Sequence, residues 1–252
     1  MKICSLVPGA TEVVAALGCQ HDLIGISHEC DFPPSLAQIP VMVRPRIESH
    51  HLSSAEIDQQ VGALLTAEAG LYELDETRFL AARPDLIIAQ ALCDVCAITP
   101  SQLERVVHAL SPPPRLLTLS PGRLDDILLD IETIGTAIGR EEAGTQLSAV
   151  LRSRLDTVRA TVGAQATRPR VACIEWLSPL YTAGHWVPDM VAAAGGIDVL
   201  AQAGTASRKM DWDTLTASEP EVIVLMPCGF TVPRTKAELA RMTAHPQWQH
   251  LP

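Results

Sequence analysis

Residues 141–162 read EEAGTQLSAVLRSRLDTVRATV, with no proline and one early glycine. The apolar residues Ala143, Leu147, Val150, Leu151, Leu155, Val158 and Val162 recur at spacings of three and four. That is the period of an amphipathic helix with one covered face. At a rise of ~1.5 Å per residue such a helix would run about 33 Å, the width of a small domain. Glu141 and Glu142 stand at its start and Arg152, Arg154 and Arg159 toward its end, the polarity the helix dipole favours. On either side lies a segment that alternates short apolar runs with helical patterns. The spacing predicts one continuous helix, a strut joining two α/β lobes, with function residing between them.

Ahead of the strut, strand-like runs at 2–7 (KICSLV), 23–27, 41–43, 85–90 (DLIIAQ) and 115–119 alternate with helical patterns at 11–17, 53–65, 76–82 and 101–110. Ser53 with Glu56 has the spacing of a capping box, Asp75 caps the next helix, and Pro84 and Pro112-Pro113-Pro114 break the chain. This alternation implies a mainly parallel sheet covered on both faces. Leu124, Ile127, Leu128, Ile131, Ile134 and Ile138 mark a further helix that stops at Gly139. Beyond the strut, strands are expected at 171–176 and 221–226, with helices at 187–194 and 213–218. A last helix is expected to open on a capping box from Thr235 to Glu238. The expected fold is α/β, with two three-layer αβα lobes joined by a single long helix. The N-terminal lobe is placed at 1–120, the connecting helices at 121–166 and the C-terminal lobe at 167–252.

A chain of 252 residues can bury a substantial core. Its formal charge of −10, from 29 acids and 19 bases, comes with no basic run, which argues against a nucleic-acid partner. No apolar run approaches the ~20 residues of a membrane span. The opening MKICSLVPGATEVV lacks the apolar core and cleavage site of a signal peptide. The expectation is a cytoplasmic chain as given, or a periplasmic one trimmed before Met1. Seven cysteines in such a setting suggest metal binding, redox work or core packing more than structural disulfides.

In open parallel sheets, ligands sit beyond the carboxyl ends of strands. The residues just past the expected strands are Thr11 and Glu12, then His28, Glu29, Cys30 and Asp31, then Cys93 and Cys96, then Glu175 and Trp176, then Cys228. A loop carrying Gly184, His185 and Trp186 joins them. Each has an ordinary explanation. Cys93 and Cys96 can be two inert thiols, a histidine beside acids can satisfy its own loop, and the tryptophans can be core. Cys4, Cys19 and Cys173 lie inside apolar runs and read as small core residues. The gathering of so many chemical groups at one rim favours a functional cleft.

Several of these residues carry a family resemblance. The run Ser5-Leu6-Val7-Pro8-Gly9-Ala10-Thr11-Glu12 resembles the opening of the substrate-binding proteins that serve ABC importers of cobalamin and iron chelates. Gly25-Ile26-Ser27, Asp31-Phe32-Pro33-Pro34 and Arg83-Pro84-Asp85-Leu86-Ile87 are similar to that family's first lobe. Tyr181-Thr182-Ala183-Gly184, Ala194-Gly195-Gly196, Met210-Asp211-Trp212 and Glu219-Pro220-Glu221-Val222-Ile223 are similar to its second. The resemblance covers nearly the whole chain, is closest to the cobalamin-binding branch, and within it to a signal-less subgroup with cysteines in the cleft. It implies two lobes on one rigid helix, a ligand held between them, and little hinge closure. Members usually carry a further strand and helix, so the C-terminal lobe is expected to be cut short at Pro252. Members also dock their permease through one acidic residue per lobe, and Glu76 and Asp213 are the nearest counterparts here, matching the pattern poorly.

The leading reading is non-enzymatic binding of a corrinoid, cobalamin or a related metal complex, in the interlobe cleft. Its expected contacts are Glu12, His28, Glu29, Asp31, Glu175, Trp176, Tyr181, His185 and Trp186, because aromatic faces suit a flat macrocycle. A second reading has Cys30, Cys93, Cys96 and Cys228 holding zinc or an iron–sulfur cluster, since thiolates are soft ligands. A third has Cys93 and Cys96 as a thiol redox pair, although no strand–CxxC–helix arrangement surrounds them.

Overall fold

The computed structural model describes residues 1–67, 70–92, 98, 100–163 and 167–251. These fall into two units, 1–48 with 60–120 and 127–150, and 49–59 with 121–126 and 151–252. In the first, β1 (Ile3–Ser5), β2 (Leu23–Ser27), β3 (Val41–Pro45), β4 (Tyr72–Leu74), β5 (Leu86–Gln90) and β6 (Arg115–Leu119) form a sheet in the order β4-β3-β2-β1-β5-β6. All neighbours are parallel except the edge pair of β3 and β4. Ile3, Leu86, Ile87 and Ile88 are fully buried, as expected for central strands covered on both faces. The short strand β4 was not legible, because three residues are too few to carry a period of their own.

Helices α1 (Pro8–Ala16), α2 (Ser54–Thr66), α3 (Glu76–Ala82), α4 (Pro100–Ala109), α5 (Leu124–Ala137) and α6 (Glu141–Gly163) follow the sequence pattern closely. Helix α1 begins at Pro8, ahead of the expected Thr11, because a proline in the first turn loses no hydrogen bond. Ser53 and Glu56 form the expected reciprocal cap, and Asp75 accepts from the Arg78 N–H. One face of the first sheet packs Ile3, Leu86 and Ile88 against Val14, Ile134, Ala137 and Leu147. The other packs Cys4, Ile87 and Ala89 against Phe79, Leu103 and Val106.

Helix α6 is continuous, and the division between the units falls inside it, between Val150 and Leu151. Its covered face departs from the expected stripe. Gly144 and Ser148 are the buried residues, Ala143, Leu147, Leu151, Leu155 and Val162 are half-buried, and Val150 and Val158 are exposed. Small residues explain this. A Cβ on Gly144 would lie 3.2 Å from Gly135 Cα and 3.2 Å from Ile131 O, so α5 and α6 meet backbone to backbone there. The seam is centred on Gly144 and Ser148, which turns Val150 onto the flank. Val158 is in phase with the stripe and still faces solvent.

The second unit contains β7 (Arg170–Leu177), β8 (Leu180–Thr182), β9 (Ile197–Asp198), β10 (Lys209–Met210) and β11 (Val222–Leu225), with α7 (Val187–Ala193), α8 (Trp212–Ala217) and α9 (Val232–Thr243). The strand order is β10-β8-β7-β11, and β9 pairs with β7. Ala172, Ile174 and Leu177 face Leu215 and Met242 on one side, and Val171 and Cys173 face Ala183 and Val187 on the other. Helix α9 starts earlier than the Thr235 box implied. Thr231 is its cap, Pro233 sits in its first turn, and Glu238 lies mid-helix. Among the described residues no helix is long and apolar enough to cross a membrane.

Two substitutions on the covered face of α6 should act in opposite directions. Gly144→Ala forces the helices apart and should lower stability by about 1–3 kcal/mol. Ser148→Ala removes a buried hydroxyl that has no hydrogen-bond partner. It should leave stability unchanged or raise it by up to ~1 kcal/mol. Urea denaturation of the two variants checks both signs.

Candidate functional site

In the first sheet the chain leaves β1 in one direction for β2 and in the other for β5, so the switch point lies at the carboxyl ends of β1 and β5. Past β1, Thr11 is fully buried, with Oγ1 2.8 Å from Ser5 Oγ, 3.0 Å from the Val7 carbonyl oxygen and 3.1 Å from Cys30 Sγ. Thr11 Oγ1 donates toward Ser5 Oγ and the Val7 carbonyl, and in its contact with the Cys30 thiol either atom can be the donor. Burial pushes the Cys30 thiol up, against the opposing pull of its hydrogen bonds with Thr11 and Ser27. Cys30 packs in the core beneath α1. Glu12, Glu29 and Asp31 are exposed around it. His28 is half-buried, with Nε2 3.2 Å from Glu29 Oε1 and its ring 5.9 Å from that of Tyr72. Cys93 and Cys96, past β5, lie outside the described residues.

The second unit groups its candidates more tightly. Antiparallel pairing sets Trp176 opposite Tyr181 and Tyr181 opposite Lys209. Residues directly opposite share a face. The alternate row, Leu177, Leu180 and Met210, is buried in the core. Trp176 and Tyr181 are therefore half-buried on the outer face and Lys209 is exposed beside them. Burial and the nearby Asp58 charge raise the Tyr181 phenol, which stays a neutral donor. The Trp176 indole N–H donates to the Ser54 carbonyl at 3.1 Å, and its ring meets Phe230 edge-on at 5.4 Å. Trp186 packs on the same side of the sheet, against the Val171–Cys173–Val187 cluster. Glu175 is half-buried, and its carbonyl accepts from the backbone N–H of Cys228, whose side chain is exposed.

The loop before α7 is fixed by its backbone. A Cβ on Gly184 would stand 2.4 Å from Ser207 N, so only glycine fits. His185 takes φ +54°, in the left-handed region, and is held by His185 N–H to Thr205 O at 2.6 Å and Gly204 N–H to His185 O at 2.9 Å. Its ring lies 5.9 Å from that of Trp186. Helix α7 is anchored through Asp189, which receives the Arg123 guanidinium at 3.0 and 3.3 Å and the Leu124 N–H at 3.2 Å. Those contacts hold the Asp189 carboxyl below its ordinary value.

Sequence reasoning missed a cluster at the first turn of α2. Glu238 is buried, and its carboxylate accepts from the Ser54 N–H and hydroxyl and from Arg241. Arg234 donates to the carbonyls of Ser49 and Leu52 and stacks over Phe230 at 3.7 Å. A cavity of about 140 Å³ lies beside them, lined by Ser53, Ser54, Leu177, Ser178, Glu238 and Arg241 among others. The available signal was the four-residue spacing of Arg234, Glu238 and Met242, which puts them on one face of α9. Of the two candidate docking acids, Glu76 pairs with Arg105 at 2.7 Å and Asp213 accepts from Gln247. No group of three or more His, Cys, Asp or Glu among the described residues is placed to hold a metal ion.

Comparison with known proteins adds a family to this geometry. The family model described as "Periplasmic binding protein" matches residues 3–252. A vitamin B12-binding protein of Vibrio cholerae serotype O1 is 23% identical over 226 residues, covering 88% of this chain and 69% of its own. The solved structure of the periplasmic vitamin B12-binding protein BtuF of Vibrio cholerae is 20% identical, covering 98% of this chain and 81% of that one, with a TM-score of 0.67. A periplasmic heme-binding protein from Pseudomonas aeruginosa is 19% identical, covering 96% and 79%, with a TM-score of 0.71.

The buried thiols carry a pH signature. Burial, with the Asp198 charge adding, pushes Cys173 up to about 11. The folded state therefore holds this proton after the unfolded chain, at an ordinary ~8.5, has released it. Stability is unaffected by the group below that unfolded value and falls as pH rises through the window up to the folded one. Cys173→Ala should flatten part of this decline. Urea midpoints in reductant at about pH 8 and about pH 10.5 measure it, and an unchanged slope would refute the assignment.

Proposed function

This chain belongs to the periplasmic binding protein family, and from that premise we propose that it binds a flat metal–macrocycle complex without transforming it. A corrinoid of the cobalamin type is the first ligand of this reading and haem the alternative. The observation that carries it is the outer face of the second sheet, where Trp176 and Tyr181 stand side by side beyond the core row and Trp186 packs on the same side. Aromatic faces bury large area with few rotatable bonds, which suits a planar ring system. The Tyr181 phenol remains a donor at neutral pH and fits the amide oxygens around a corrin.

The remaining contacts belong to the same reading. Glu175 and His185 stand next to Trp176 and Trp186 in the chain, and both are half-buried. Relatives that bind vitamin B12 or heme support a metal complex as ligand. An importer permease is the partner this function calls for, although Glu76 and Asp213, the nearest acidic counterparts, match the family's docking pattern poorly and are engaged by Arg105 and Gln247.

Titration with cyanocobalamin and with hemin, read by quenching of tryptophan fluorescence, tests the proposal. Wild-type protein should bind at least one of them. Tyr181→Ala and Trp186→Ala should each weaken that ligand by about 1–3 kcal/mol. Absence of quenching by both ligands up to ~100 μM, a binding free energy weaker than about 5.5 kcal/mol, would remove the reading.

A further inference from the structure

The aromatic row ends on a cation, and the cation differs from its neighbours. Tyr181 sits between Trp176 and Lys209 by strand register, all three on the outer face. Side chains at such opposed positions have Cβ atoms about 5 Å apart, so the Lys209 ammonium can reach across the edge of whatever lies on the Tyr181 ring. The other cations nearby are committed. Arg234 donates to Ser49 and Leu52 and covers Phe230, Arg208 donates to the Leu200 carbonyl, and Arg241 pairs with Glu238. Among the described residues no carboxylate forms an ion pair with Lys209, which is exposed. The negative charge that acts on Tyr181 is Asp58, on α2.

We propose that Lys209 is a specificity-determining residue, reading an anionic oxygen group on the edge of the ligand that stacks on Tyr181 and Trp176. The inference rests on the binding reading above and adds to it the sign of the ligand's edge and where that edge lies. An anion is drawn to Lys209, across the strand from Tyr181. A phosphodiester and a propionate carboxylate present the same chemistry to an ammonium, a charged acceptor of short hydrogen bonds. An amide-rimmed macrocycle without either group gains nothing from Lys209.

Three probes separate these cases. Cyanocobalamin carries a phosphodiester, dicyanocobinamide keeps the amidated corrin ring without it, and hemin carries carboxylates. Lys209→Gln should weaken whichever anionic ligand the wild type binds by about tenfold, the scale of a charge-assisted contact at a half-exposed site. Dicyanocobinamide should be unaffected, and Lys209→Arg should restore most of the lost affinity. Raising salt should weaken the wild type toward the Lys209→Gln value and leave the variant nearly constant. Lys209 is exposed on a two-residue strand, so an unchanged melting temperature certifies the fold. Equal affinity of wild type and Lys209→Gln for the anionic ligand would overturn the inference, as would an equal loss for dicyanocobinamide. Failure of all three probes to bind wild-type protein would instead overturn the underlying binding reading, and the inference with it.

Discussion

A strand gives each residue to one face of its sheet only, so the aromatic surface of the second unit depends on a single irregularity in β7. Ala172 and Ile174 point into the core beneath α8 and α9. Strict alternation would send Trp176 the same way and turn Leu177 out to solvent. The pairing of β7 with β8 instead shifts register between Ile174 and Trp176. The extra residue, Glu175, reverses the alternation, placing Leu177 in the core and Trp176 outside. A one-residue slip of this kind moves every later side chain to the opposite face. Tyr181 takes its register from β7 across that bulge, and Lys209 takes its own from Tyr181 on β8.

A second constraint concerns the segment 49–59, which is distant in sequence from the rest of its unit. It is held by a buried carboxylate, and burying a charge is costly unless its hydrogen bonds are supplied. Glu238 has them, from Ser54 on the first turn of α2 and from Arg241. The α2 terminus supplies unpaired backbone N–H groups and a favourable dipole, so the segment and the carboxylate satisfy each other. Arg234 does the reverse, supplying donors to the bare carbonyls of Ser49 and Leu52. Trp176 closes the set through its indole N–H to Ser54. The tryptophan offered to a ligand is thus also the one whose orientation this segment fixes, which couples the surface to a part of the chain with no Phe, Tyr or Trp of its own.

Legibility in the sequence followed the range of the interaction concerned. The helix α6, the strands β2 and β6, and the caps at Ser53 and Asp75 depend on residues within a turn or two of one another, and they were readable to within a residue or so. Short strands such as β4, β9 and β10 exist because a partner strand lies beside them, and two or three residues carry no period of their own. Glu238 was misread as part of a local cap because its spacing from Thr235 fits one, while its real partner is Ser54. Val150 and Val158 were assigned to the covered face of α6 by hydrophobicity, whereas the neighbouring helix selects for smallness at Gly144 and Ser148. In the site, Trp176 and Trp186 were named from their place after strands. The role of Lys209 depends on a register that a sequence does not display.

The loop from Gly184 to Trp186 shows how such a surface is made rigid. A non-glycine residue in the left-handed region costs of order 1–3 kcal/mol and persists only where its surroundings over-determine it. His185 is bonded through both its N–H and its carbonyl to the 204–205 turn, and the backbone of 206–207 packs directly against Gly184. The residue next in line, Trp186, enters the short helix α7, whose Asp189 is fastened by Arg123 and Leu124. Strain is therefore bracketed by strong local bonds directly before an aromatic side chain. A binding surface for a rigid planar ligand benefits from this arrangement, because side chains already fixed lose little further freedom when the ligand arrives. The left-handed turn at His185 and the close backbone approach at Gly184 thus set the direction in which the chain enters α7 at Trp186.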